Sequence, residues 1–439
     1  MLAYFLELAF RSLRRNVVLT ALMVAAVGVG IGASMTMLTT LIAMTNNPIP
    51  DKSSQLFLPQ IDSFGDASRT HDMRDVPYVL PYRDAEAFMK AQLGVRQTAM
   101  YPLALNVKPP QGDLFEASGR ATYTDFFAMF EVPFRSGAPW GHREDADQGN
   151  VVVLSSTLAD RLFPGVDPVG RTVNLGKRDY RVTGVAGHWT PTPRFYDTNA
   201  GGFDEPEDFY IPFSIAIDRQ IETNEYACDA TSLAANWEAR LKSDCPWVQF
   251  WVELPHAAQV DAFRTFLQNY AAEQQRLGRY PWLPVTALFD VMGWMDHVHV
   301  VPSQVRVNSM IASGFLIVCL INAVGLMLAK FSSRAVELSV RRALGASRNN
   351  LFLQCVTESM LIGLLGGLLG LGLTAVGLSA LRALRGITSQ DSIVGHLASL
   401  NLEVVLVTFG VAILATICSG LYPALRASRV QPAWQLKAQ

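Results

Sequence analysis

Uncharged apolar runs and ordinary mixed sequence divide the chain into distinct stretches. Val17 to Met44 contains no charged residue. About 20 apolar residues carry a helix across the bilayer hydrocarbon, so this run predicts a spanning helix with length to spare. Thr45, Asn46, Asn47 and Pro48 end it. Val307 to Ala329 is also charge-free, Val356 to Leu381 has Glu358 near its start, and Val404 to Leu425 has no charge. Four transmembrane helices are therefore expected. Ahead of the first run, Leu2, Phe5, Leu6, Ala9, Phe10 and Leu13 recur at helical spacing, with Glu7, Arg11, Arg14 and Arg15 mostly opposite. This predicts an amphipathic helix at the inner membrane surface. A cleaved leader fits less well, because the apolar run is too long and no clear small-residue cleavage site follows it.

Lysine and arginine in short flanks orient spans. Arg11, Arg14 and Arg15 precede the first span. Lys330, Arg334, Arg341, Arg342 and Arg348 lie between the second and third, and Arg426, Arg429 and Lys437 follow the fourth. Only Arg382 and Arg385 fall between the third and fourth. Both termini are expected in the cytoplasm, with the long middle stretch outside. The layout is an amphipathic helix over 1–15, spans over 16–45, 303–330, 355–381 and 403–425, and an outer domain over 46–302. A cytoplasmic coupling loop covers 331–354, a short outer loop 382–402 and a cytoplasmic tail 426–439.

The outer stretch alternates turn signals with half-buried strand patterns. Gly165, Pro168 and Gly170 mark turns, and Tyr180 to Val185 alternates as a strand does. Val248 to Leu254 predicts a strand. Gln259 to Leu277 predicts an amphipathic helix with an apolar stripe of Phe263, Phe266, Leu267 and Tyr270. Two lobes are expected: an inserted β-rich lobe over about 150–215, and an α/β lobe from the flanks, 53–130 and 216–295. The fold class is thus a membrane protein, mainly α in the membrane, with a large α+β extracytoplasmic domain of two lobes.

Composition adds three points. Charged residues make up 17% and hydrophobic residues 50%, against about a quarter charged in soluble proteins. Net charge is −2 and no basic stripe marks a nucleic-acid surface. Of the 5 cysteines, Cys319, Cys355 and Cys418 lie in or beside apolar runs and suit packing. Cys228 and Cys245 lie in the polar middle. An extracytoplasmic location favours a disulfide between them, the alternative being two core thiols.

Candidate chemistry is sparse. Gly28, Gly30, Gly32 and Ala33 superficially resemble a dinucleotide-binding pattern, but no strand precedes them and no acid follows at the right distance. Gly28 with Gly32, Gly363 with Gly367, and Gly366 with Gly370 are four apart. Such spacing lets membrane helices approach closely, either between subunits or within one. No row of ionisable groups crosses any span, which speaks against ion-coupled transport. Glu358 is expected at a helix start, where a carboxylate suits the dipole. His297 and His299 are placed on one side of a strand before the second span, as solvated or hydrogen-bonded residues rather than metal ligands. Asp204, Glu205, Glu207 and Asp208 read as a solvated acidic loop rather than a calcium site. Ser155 and Ser156 read as helix caps. No catalytic residue is assigned. Lys52 and Lys177 do not sit in a phosphate-cradling P-loop.

The loop after the second span reads as helix, glycine break and second helix, with Ser347 as N-cap. Its sequence Glu337-Leu338-Ser339-Val340-Arg341-Arg342-Ala343-Leu344-Gly345-Ala346-Ser347 resembles the signature of the FtsX/MacB permease superfamily, with Leu338-Ser339 where members usually carry Ile-Gly. The stretch from Gly420 to Lys437 resembles the end of that family's fourth span. Val151 to Trp189 resembles a MacB-type periplasmic core domain. The resemblance implies a type VII ABC permease of the bacterial inner membrane. Such permeases pair as dimers, identical or with a sister, and transmit ATP-driven movement to their outer domains without a membrane channel. It further implies a separate ATPase subunit that binds ATP and Mg, no cofactor bound by this chain, and an adaptor and outer-membrane channel as partners. Glu337, Arg341, Arg342, Leu344, Gly345, Ala346 and Ser347 become the ATPase-coupling candidates. Efflux is the leading expectation. Lipoprotein extraction and signalling to an envelope hydrolase are the alternatives.

Overall fold

The computed structural model describes residues 2–62, 78–109, 112–198, 202–203, 206–223, 225–228 and 236–385, with scattered positions over 406–425. These form two compact units, Asn46–Val300 and Met1–Thr45 with Val301–Gln439. In chain order, α1 (Leu2–Arg15) and α2 (Val17–Thr45) precede the first of these. That unit contains β1 (Leu56–Ile61), β2 (Leu80–Pro81), α3 (Tyr82–Ala91), β3 (Arg96–Lys108), β4 (Phe115–Thr122), α4 (Asp125–Met129), β5 (Phe134–Gly137) and α5 (His142–Ala146). It continues through β6 (Val151–Ser155), α6 (Ser156–Leu162), β7 (Thr172–Leu175), β8 (Arg178–Ala186), β9 (Phe209–Pro212), α7 (Phe213–Asp218) and α8 (Trp237–Lys242). It ends with β10 (Pro246–Glu253), α9 (Ala257–Arg276), β11 (Thr286–Asp290) and α10 (Val291–His297). Then follow α11 (Ser303–Ser332), α12 (Ala335–Ala343) and α13 (Arg348–Arg385).

The α+β unit is built on one sheet path, β11-β1-β10-β3-β4-β9-β6-β8-β5, with β2 on β10 and β7 on β3 and β8. β10 is buried along its whole length. Its run of Trp, Val and Phe suits a strand covered on both faces. Side chains alternate across a strand, so each strand feeds two cores. Tyr101, Val152, Leu154 and Phe250 enter one core with Phe88 of α3 and Phe263 and Leu267 of α9. Met100, Val151, Val153 and Trp251 enter the other with Phe126 of α4 and Trp294 of α10.

Strand pairing crosses the bounds expected for an inserted lobe. β3 pairs with β10 over Arg96 to Met100 and with β4 over Tyr101 to Val107, and its end meets β7. β4 then pairs parallel with β9, and β5 pairs with β8. Strands that precede position 150 thus pair with those of the 150–215 stretch, and both cores take residues from it. Ser155 caps α6 by accepting from Leu158 N at 3.1 Å. Cys228 and Cys245 are joined in a disulfide. His297 does not lie in a strand: it ends α10, and its ring stacks 4.5 Å from that of Phe289. His299 has a positive φ and its Nδ1 lies 2.9 Å from the His297 carbonyl. The local pattern Trp-Met-Asp-His continues a short helix begun by the Asp290 cap, which accepts from Gly293 N at 2.7 Å.

In the helical unit, α2, α11 and residues Arg348–Ala380 of α13 are long and apolar enough to cross a membrane. The expected fourth span lies mostly outside the described residues. Of its described positions, Val411 packs on the cluster of Val27, Ile31, Met35 and Ala323, and Ala424 joins Met23 and Met327. Asp204, Glu205, Cys418, Arg426, Arg429 and Lys437 fall outside the described residues, as do most of the 382–402 loop and the whole 426–439 tail. Cys319 and Cys355 are buried thiols.

The glycines explain how α2 meets α13. A Cβ at Gly32 would stand 2.7 Å from the Leu373 Cβ, and one at Gly370 would stand 2.8 Å from Ile31 Cγ2 and 3.1 Å from the Gly28 carbonyl. Gly28 and Gly366 face Leu369 and Val27 just as closely. Gly363 and Gly367 are buried. Small residues therefore bring two helices of one chain together, where the spacing alone had left a subunit interface equally open.

Candidate coupling site

Helix α12 and the turn after it form a compact projection from the helical unit. Glu337 lies in the first turn and Arg341 and Arg342 in the last, the signs that complement a helix dipole. The helix stops because Gly345 adopts φ +101°, a left-handed conformation that glycine enters without steric cost. Ala346 N then donates to the Arg341 carbonyl and Gly345 N to the Arg342 carbonyl, both at 3.1 Å. That pair of bonds is a Schellman closure. Ser347 restarts the chain by accepting from Asn350 N at 3.2 Å, an N-cap for α13.

The side chains brace the projection from within the helical unit. Arg341 Nη2 donates to Glu337 Oε1 at 2.8 Å and Nη1 reaches Gln354 Oε1 at 3.4 Å. Arg15 of α1 donates to Glu337 Oε2 at 3.1 Å. Arg342 is half-buried, while Ala346 and Ser347 complete the turn. Val336, Val340 and Leu344 are 65%, 49% and 83% exposed. Their spacing of four puts them on one side of the helix, ending at the turn. Of these three, Leu344 alone was singled out from the sequence. Val336 and Val340 precede it at i, i+4 spacing, the signal by which the sequence could have placed them on the same side.

Glu358 departs from its expected place. Helix α13 begins at Arg348, so this carboxylate sits ten residues inside it and not at a helix start. It is 2% exposed. It pairs with Lys330 of α11, lies 3.7 Å from Arg334, and accepts from the Ser12 hydroxyl of α1. The loop's second helix runs straight into the third span as one helix, because no glycine or proline between Arg348 and Glu358 breaks it.

The α+β unit holds a second buried polar centre. Glu207, expected in a solvated loop, is 3% exposed. Arg120 Nε donates to it at 2.6 Å, the Tyr196 hydroxyl at 2.9 Å, and Arg194 lies 3.8 Å away. Asp197 pairs with Arg120 and Arg194 and accepts from Gln249 Nε2 at 2.7 Å. Burial by itself would raise the Glu207 pKa, but Arg120 and Arg194 outweigh it and hold the carboxyl below its ordinary value. The neighbouring Asp208 accepts from Ser118 N at 3.1 Å. The arginines supplying this compensation are 87 and 13 positions upstream of Glu207, so no local pattern announces it. Elsewhere in the unit, burial pushes Asp145 up to about 6, although Thr124 N and Trp140 Nε1 donate to it.

An α+β unit spliced between spanning helices, with a helix-turn-helix projection after the second, defines a membrane permease with a periplasmic-type domain. The chain belongs to the MacB-like, FtsX-like permease family. The family model described as the MacB-like periplasmic core domain matches residues 20–270, and that of the FtsX-like permease C-terminal matches 309–432. The resemblance read from the loop and from Val151 to Trp189 is thus borne out.

Curated relatives agree. The macrolide export ATP-binding/permease protein MacB of Azoarcus sp. (strain BH72) is 22% identical over 439 residues, covering 98% of this chain and 59% of that protein. Its namesake in Bdellovibrio bacteriovorus is 26% identical over 309 residues, covering 69% of this chain and 41% of that protein. The chain spans about half the length of the curated relatives it matches. Among solved structures, the periplasmic region of MacB from Actinobacillus actinomycetemcomitans has 14% identity and a TM-score of 0.37, covering 57% of this chain and 95% of that one. The extracellular domain of the ABC-type transporter YknZ from Gram-positive bacteria has 10% identity and a TM-score of 0.30, covering 47% and 87%.

Proposed function

We propose that this chain is the permease of a MacB-like efflux system, moved by an ABC ATPase that docks on α12 and the turn after it. The observation that carries the reading is the exposed stripe of Val336, Val340 and Leu344 beside a rigidly closed glycine turn. Apolar side chains left open on a braced element suit burial against a partner. Glu337, Arg341 and Arg342 would frame that contact, and Gly345, Ala346 and Ser347 would hold its shape. These 439 residues contain no P-loop lysine; ATP and Mg would be held by the ABC ATPase.

In this reading four helices span the bacterial inner membrane, both termini face the cytoplasm and the α+β unit works in the periplasm. The arginines of α1 and α12 support that orientation. ATP-driven displacement of α12 would pass through the helices to the α+β unit, a transfer of movement rather than conduction. A second permease copy or sister, a periplasmic adaptor and an outer-membrane channel would complete the export route. Affinity purification of the full chain from its own membranes tests the docking. Recovery of an ABC ATPase with wild-type protein, and at least tenfold less with Leu344→Asp at equal membrane level, is the expected result. Equal recovery with Leu344→Asp removes the docking role, and recovery with no ATPase at all removes the reading.

A further inference from the structure

Helix α1 has the pattern of a helix lying loosely at a membrane surface, yet its inner face is fixed into the helical unit. Ala9 is fully buried and Leu13 joins Met327, Phe331, Cys355 and Ile362 in one apolar cluster. Between them lies Ser12, 4% exposed. Its hydroxyl accepts from Arg334 Nη1 and donates to Glu358 Oε1. Arg334 is the residue that caps the start of α12. Glu358 belongs to α13 and also pairs with Lys330, near the end of α11. Lys330 Nζ in turn reaches Thr20 Oγ1 of α2 at 3.5 Å.

We infer that Ser12 is the relay through which displacement of α12 reaches α13. The inference rests on the proposed docking at α12 and adds how the movement leaves it. α12 continues from α11 through Ser333 and Arg334, while its covalent route to α13 runs through the Gly345 turn, where a left-handed glycine separates the two helices. The route through Ser12 is short and buried. Arg334 moves with the first residue of α12, the hydroxyl follows it, and Glu358 carries the pull into α13. Arg15 donating to Glu337 at 3.1 Å ties the same α1 to the flank of α12, so α1 and α12 move as one body. A serine suits this position because its single hydroxyl donates and accepts at once. A carboxylate there would repel Glu358, and an alkyl group would leave Arg334 and Glu358 only their longer direct contact of 3.7 Å. Ser12, Arg334 and Glu358 are positioning residues for the coupling movement, with no contact to nucleotide.

The test uses the full chain with its co-purified ATPase in lipid nanodiscs. An environment-sensitive fluorophore is placed on α13 at Val376→Cys, a position 62% exposed, in a background without other reactive thiols. Non-hydrolysable ATP analogue is then added. Ser12→Ala is expected to reduce the nucleotide-driven signal at least fivefold, with ATP turnover unchanged, and Ser12→Thr to restore it. Arg334→Met should reduce the signal likewise, and the Ser12→Ala/Arg334→Met double variant should lose no more than either alone, because both break one chain of contacts. A full signal in Ser12→Ala, or losses that add in the double variant, overturns the relay while leaving docking intact. Absence of any nucleotide signal in the wild-type complex overturns both.

Discussion

Two buried charge centres in this chain are built to opposite plans. In the α+β unit, Arg120 and Arg194 face Asp197 and Glu207, with Glu225 near enough to interact with all four. Gln249, Tyr196 and Tyr210 add hydrogen bonds. In the helical unit, Lys330 and Arg334 share the single carboxylate of Glu358, with Ser12 between. Two cations and two carboxylates that each pair across the set hold one arrangement, because a displacement disturbs several charges at once in a poor solvent for them. A lone carboxylate between two cations can move from one and keep the other. In the proposed reading, the first arrangement suits a unit displaced as a body and the second a junction that shifts.

The largest expected effect tests the rigid side of this contrast. Arg120→Met leaves Glu207 and Asp197 with fewer cations in a dry site and should cost about 3–5 kcal/mol, the range for breaking a buried pair. Urea unfolding followed by tryptophan fluorescence should show it. Lys330→Met should cost less, about 1.5–3 kcal/mol, since Glu358 retains Arg334 and Ser12 and one bond to a charged group is worth about that much. A cost equal to that of Arg120→Met breaks the comparison.

Removing the Cys228–Cys245 disulfide, 17 residues apart, should cost about 3 kcal/mol by the chain entropy of a loop that size. Unfolding with and without reductant measures it, and the loss should appear in the α+β unit with no change in nucleotide response.

Asp145 supplies a pH dependence. Burial raises its pKa to about 6 in the folded chain, above its ordinary value, so folding favours its protonated form. Its contribution is fully present below about pH 4, falls as pH rises through 6, and is flat above. With one pKa unit worth about 1.4 kcal/mol, a loss of about 3 kcal/mol is expected over the whole fall. The unfolding free energy of wild type relative to Asp145→Asn should drop by that amount as pH rises through this range and stay constant from pH 7 to 8. Smallest in stability is Gly345→Val, where a β-branched residue is forced to a positive φ at about 1–2 kcal/mol. Its readout is loss of coupling at normal membrane level, which places it on the movable side of the comparison.

Several features were legible because they depend on neighbours in sequence. Apolar runs of sufficient length with at most one charge marked the three described spans. A glycine followed two residues later by serine marked the closure and restart of helices around Gly345 and Ser347. The strand at Val248 and the helix carrying Phe263 and Leu267 followed from periodicity alone. The N-terminal helix was also legible, but its pattern reports only that one face is apolar. It does not say whether lipid or α13 covers that face.

What the sequence by itself determined was therefore the described spans, some of the strands and helices between them, the family, and the turn after α12. Each rests on a local rule: the length of a bilayer crossing, the period of a strand or helix, the left-handed preference of glycine. Only the tertiary structure decided that Glu207 is buried rather than solvated, that β4 and β5 join the strands of the 150–215 stretch, and that Gly28 and Gly370 meet within one chain. It also decided that Ser12 stands between Arg334 and Glu358, residues 322 and 346 positions away from it in the chain. The reason is common to all four. A charge or a small residue acquires its role from what faces it across the packed interior, and that partner is chosen by how the elements come together, which no local pattern encodes.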